Sequence, residues 1–246
     1  MTPLGHERFP ATRHSVVQAA RSESEEVRRR ALETLAESYW HPVYTYLRLR
    51  WRATNEDAED LAQGFFARAL EKGLFERYDP ARARLRTYLR MTLDGFVANQ
   101  RKADGRLKRG GGAEILPLDH ATSEGEIVQR EIPDGLDPDR LFRHEWVRSV
   151  FDRAVVELRA RCEADGHDVR FAVFERYDLE DPDAGRSVTY DELARSLGLP
   201  VTQVTNHLAW ARREFRRCVL DRLRESTGSE EEFRAEAREI LGVDPL

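Results

Sequence analysis

Residues 189–217, TYDELARSLGLPVTQVTNHLAWARREFRR, carry the spacing of a helix-turn-helix in one unbroken segment, and no other stretch constrains the fold as tightly. Two helices crossing at a short turn need a small residue where they touch, a turn glycine, and an apolar residue that locks the second helix. Ala194, Gly198 and Val204 stand at those places. Thr189 with Glu192 forms a capping box for the first helix, and Pro200 suits the opening of the second, where a missing N–H costs little. Val204, Leu208, Ala211 and Phe215 recur at steps of three and four and are expected to face inward. That leaves Gln203, Asn206, Trp210 and Arg213 on the opposite stripe, flanked by Thr202, Thr205, Ala209 and Arg212. Glutamine and asparagine suit adenine edges and arginine suits guanine edges or phosphate, so this helix reads as a reader of duplex DNA. An ordinary helical hairpin with a solvated polar face shares the same periodicity.

At 246 residues the chain is long enough for one large or two modest domains. Charged residues make up 35% and hydrophobic ones 40%, with few alternating runs, which predicts an all-α fold of two small helical domains. Cys162 and Cys218 lack CxxC spacing and the seven histidines are scattered, so neither zinc nor a disulfide framework is expected. No run approaches a membrane-spanning length and no basic-then-apolar leader opens the chain, which predicts a soluble, cytoplasmic protein with reduced thiols.

The net charge of −5 is unpromising for a DNA binder until the chain is divided. Over residues 82–112, Arg82, Arg84, Arg86, Arg90, Arg101, Lys102, Arg106, Lys108 and Arg109 outweigh Asp94 and Asp104, a net of about +7. Over residues 113–145 nine carboxylates face only Arg130, Arg140 and Arg143, a net of about −6. The reader segment is basic again and the tail acidic, so whole-chain charge misleads.

Periodicity supplies the rest. Residues 1–10 show none and are expected to be flexible; a helical domain spans 11–112. Its first helix runs from Glu25 to Tyr46, with Pro42 expected to start or kink a turn near the end. Its second opens at Thr54-Asn55, with Glu56, Asp57, Glu59 and Asp60 favoured there by the helix dipole, and stops at Gly73. A loop containing Tyr78 leads to a third helix with Leu85, Leu89, Leu93 and Phe96 inside and arginines outside. An acidic linker follows at 113–139, then a helix-turn-helix domain at 140–224 and an acidic extension at 225–246. Within the extension, residues 230–241 predict a short amphipathic helix, expected to pack on its own domain, with masking of a partner-binding surface as the alternative.

Taken in this order, the segments AEDLAQGFFARAL at 58–70, the basic stretch 85–109 and TYDELARSLGLPVTQVTNHLAWARREF at 189–215 resemble bacterial sigma-70-family RNA polymerase sigma factors of the extracytoplasmic-function type. The resemblance covers most of residues 11–224. It implies a polymerase-clamp-binding helix, with Glu56, Asp57, Glu59, Asp60, Leu61 and Gln63 as docking residues. It implies a promoter-melting region built from Tyr78, Arg84, Arg86, Arg90, Asn99, Arg101, Lys102, Arg106, Lys108 and Arg109. It assigns Thr202, Gln203, Thr205, Asn206, Trp210, Arg212 and Arg213 to a minus-thirty-five element. The implied partners are core RNA polymerase and promoter DNA, both double-stranded and melted single-stranded, and a regulatory partner such as an anti-sigma protein is compatible with it. No membrane, cofactor, metal or covalent chemistry is expected. Two departures stand out: Gln63 is followed by Gly64 where the family pattern has Glu, and Pro200 replaces a polar cap. The first keeps open a stand-alone helix-turn-helix regulator. A hydrolase built on Glu56 to Asp60 is a further alternative, but no paired His–carboxylate motif accompanies them.

Overall fold

A computed structural model describes residues 16–107, 137–179 and 188–242, with backbone alone for 104–107. Among these residues the fold is all-α, nine α-helices and no strand. The first four are α1 (Val16–Ala19), α2 (Glu25–Arg50), α3 (Asn55–Glu71) and α4 (Leu85–Leu107). After them come α5 (Pro138–Ala164), α6 (Asp168–Phe174), α7 (Tyr190–Leu197), α8 (Val201–Glu225) and α9 (Glu230–Leu241). No helix among the described residues is long and apolar enough to cross a membrane.

Local chemistry sets most boundaries. Thr54 caps α3 by accepting from the Asp57 N–H at 3.1 Å. At the other end Gly73 takes the left-handed φ of 59° that a side chain would resist. Pro42 does not end α2, which runs on to Arg50. Its ring is buried with Tyr39, Val43 and Tyr46, so packing carries the helix past the missing hydrogen bond. Asp137 caps α5, with Pro138 in the first turn. Helix therefore begins inside the stretch expected to be linker; the rest of that stretch, 113–136, lies outside the described residues.

One apolar core runs through both halves of the chain, from Val17 to Ala237. Helix α5 is its axle, packing against α2 and α4 on one side and α6 and α8 on the other. Phe142 of α5 sits 6.4 Å from the stacked ring of Tyr39 and 5.5 Å edge-on from Tyr46, and Trp146 is fully buried. The two expected domains thus share an interior, because α5 is apolar on two faces where a tethered domain would need one. A smaller cluster of Val173, Leu193, Ala194, Val204 and Leu208 forms a second interior where α6, α7 and α8 meet.

Candidate nucleic-acid interface

The α7–turn–α8 hairpin is built by its caps. Thr189 Oγ1 accepts from the Glu192 N–H at 3.3 Å while Glu192 Oε2 accepts from the Thr189 N–H at 3.0 Å. Gly198 takes φ 65° and the Leu199 N–H donates to the Ala194 carbonyl at 2.9 Å, which closes α7. Pro200 stands at the N-cap of α8, where it needs no N–H, and its carbonyl accepts from Gln203 and Val204. Ala194 and Val204 are buried where α7 and α8 meet.

This geometry leaves one face of α8 open. Thr202, Gln203, Thr205, Asn206, Ala209 and Arg213 are exposed. Trp210 is not on the open stripe. Its ring lies 4.5 Å from the Arg170 guanidinium and edge-on to His167 at 5.3 Å, because a large aromatic gains more by covering the α6 entrance than by standing in water. Arg212 is engaged as well, giving two hydrogen bonds to Asp178 at 2.7 and 2.9 Å and lying over Tyr177. His207, half-buried beside them, is held below the ordinary histidine range by burial and by the Arg170 and His167 charges.

At the start of α3, Glu56, Asp57 and Asp60 are exposed, while Glu59, Leu61 and Gln63 are half-buried. Gly64 has a packing reason: a Cβ there would stand 3.3 Å from Phe96 Cζ, so the glycine lets α3 approach α4 closely. No three His, Cys, Asp or Glu side chains among the described residues are grouped to hold a metal ion.

The basic region divides into two. Asn99, Arg101 and Lys102 are exposed on the far part of α4, and Arg101 lies 4.8 Å over the Trp51 ring while donating to its carbonyl. The Arg106 side chain is not described, and Lys108 and Arg109 lie outside the described residues. The near part is occupied by the protein itself. Arg84 donates to Glu236 at 2.8 Å and to both Glu239 oxygens at 2.5 and 3.1 Å, and Arg86 donates to Glu236 at 2.9 Å. Arg90 is bidentate to Asp139 at 2.9 and 3.2 Å and also reaches Asp94 at 2.7 Å. Tyr78, which the resemblance assigns to the melting region but which taken singly reads as a packing aromatic, is only 3% exposed, and its hydroxyl donates to Glu232 at 3.0 Å.

Glu232, Glu236 and Glu239 all come from α9, which therefore does not pack only on its own domain but reaches back to the start of α4. Arg84 occupies the N-cap position of α4, where its side chain offers no acceptor. Glu232 Oε1 supplies one instead, accepting from the Leu85 N–H at 2.8 Å, and its Oε2 accepts from the Gly228 N–H at 2.8 Å. Sequence reasoning passed over these carboxylates. The available signal was their spacing, since 232 and 236 flank Phe233 and Ala237 on the apolar stripe of α9. Carboxylates on a buried stripe require cationic or N–H partners. Comparison of the chain with known protein families, curated proteins and solved structures finds no match.

Proposed function

We propose that this protein is a promoter-specific transcription initiation factor of the sigma type, one that binds core RNA polymerase, recognises minus-thirty-five and minus-ten elements and promotes melting between them. The observation that carries the reading is the capped helix-turn-helix with Thr202, Gln203, Thr205, Asn206 and Arg213 exposed along α8. Laid in a major groove, such a helix offers amides for adenine and a guanidinium for guanine or phosphate. Arg101 and Lys102 on α4 supply phosphate contacts whose loss of counterions makes binding salt-dependent. The carboxylates opening α3 are the proposed docking face for polymerase, with Glu56, Asp57 and Asp60 exposed.

A second reading, a stand-alone duplex-binding regulator, is favoured by the internal pairing of Arg84, Arg86 and Arg90. Run-off transcription with purified core polymerase on a pool of genomic promoter fragments separates the two. Protein-dependent transcripts sharing two upstream elements support the initiation factor. Duplex binding without transcripts or co-purification with polymerase supports the regulator, and loss of both overturns each.

A further inference from the structure

We propose that α9 is an internal polyanion: in the free protein it occupies the Tyr78–Arg84–Arg86 surface, and it must leave when a nucleic-acid strand binds there. The inference rests on the nucleic-acid reading of α4 given above and adds a regulatory step to it.

Three observations converge. Glu236 is fully buried with Oε1 shared by Arg84 and Arg86, so the guanidiniums already hold the kind of acceptor a phosphate would offer. Glu239 adds a two-oxygen clamp on Arg84 and is itself held by Arg143 from α5 at 3.0 Å. The turn into α9 covers Tyr78, whose ring lies so close to Gly228 that a Cβ there would overlap it, and Glu232 takes its hydroxyl. An aromatic ring and two arginines, the set that stacks a base and holds its phosphates, are thus filled by one short helix. Carboxylate and phosphate cannot occupy the same N–H donors at once, so a strand can engage this surface only by favouring the state with α9 displaced. Beyond it Arg101, lying over the Trp51 ring, and the neighbouring Lys102 are solvent-exposed on α4 and available for a first encounter.

The test uses the full chain, a fluorescent oligothymidylate at low salt, and hydrogen exchange of residues 230–241. Glu239→Gln touches only a half-exposed carboxylate and preserves side-chain shape. It is expected to tighten oligothymidylate binding about two- to fivefold, the scale of one partly exposed ion pair. Glu231→Gln, an exposed charge on the same helix that removes the same formal charge, is expected to change little. Saturating oligothymidylate is expected to speed exchange across α9. Equal gains from the two variants, or α9 amides that stay protected with the strand bound, overturn the proposal. If Arg101→Ala weakens binding while Glu239→Gln does nothing, the nucleic-acid reading stands and only the internal polyanion fails. If neither oligothymidylate nor duplex DNA binds wild type or any variant, both fall together.

Discussion

Replacing Glu232 by glutamine keeps the size of the side chain and changes one oxygen into an NH2, which makes it a clean probe of the join between α9 and the start of α4. All three partners of this carboxylate are donors: the Leu85 N–H on Oε1, and the Gly228 N–H and Tyr78 hydroxyl on Oε2. A glutamine amide has only one acceptor atom. If its oxygen faces Leu85, the Gly228 N–H is orphaned; if its oxygen faces Gly228, the Leu85 N–H at the start of α4 is orphaned. Tyr78 can rotate its proton and accept, so it does not change the count. A buried donor left without a partner costs about 1–3 kcal/mol. Against this, burial pushes the Glu232 carboxyl up from its ordinary range despite the pull of the two amides, and a neutral amide is spared that dehydration. The expected net loss is about 1–2 kcal/mol, or roughly 2–8 °C in Tm for a chain of this size. Urea unfolding followed by far-UV circular dichroism reads it directly. Tyr78→Phe removes one donor and orphans neither amide, so its loss should be the smaller. A Glu232→Gln protein as stable as wild type would refute the argument, because the carboxylate would then not be serving as the cap of α4.

Three other outcomes are expected. Asn206→Ala and Arg213→Ala should each reduce discrimination at one position of the preferred duplex by about 1–3 kcal/mol, measured by competition among single-substituted sites, whereas Trp210→Phe should leave that preference in place and lower stability through lost contact with Arg170. Gly64→Leu should cost about 1–3 kcal/mol in the same urea assay, since the added side chain meets Phe96 with no room to spare. The Arg84 hydrogen bond holds the Glu239 carboxyl below its ordinary value of 4.5, so its contribution to stability is present above that pH and lost as pH falls through the depressed value; stability of Glu239→Gln measured from pH 6 to pH 3 should accordingly show a shallower acid-side decline than wild type.

The elements of this fold were legible because their causes are local. Thr54, Gly73, Thr189 and Gly198 mark helix ends through local geometry that spans three or four residues, and each can be read from its neighbours. The amphipathic period of residues 230–241 likewise announced α9. Pro42 misled, since a proline signal is also local, whereas the packing that carries α2 past it comes from residues elsewhere in the chain.

What the sequence left undecided was where the faces go. Forty cationic and forty-five anionic side chains admit very many pairings, and nothing in their spacing selects Glu236 for Arg86 or Asp139 for Arg90. Those choices are made when α5 packs between α2 and α8, which brings the end of the chain beside the start of α4, 147 residues earlier. The sequence by itself determined most of the helices among the described residues and the polar stripe along α8, because hydrogen bonding, capping and periodicity act over a few residues. Only the tertiary structure decided which of the basic residues remain exposed, because pairing buried charges depends on proximity that the whole core must first create.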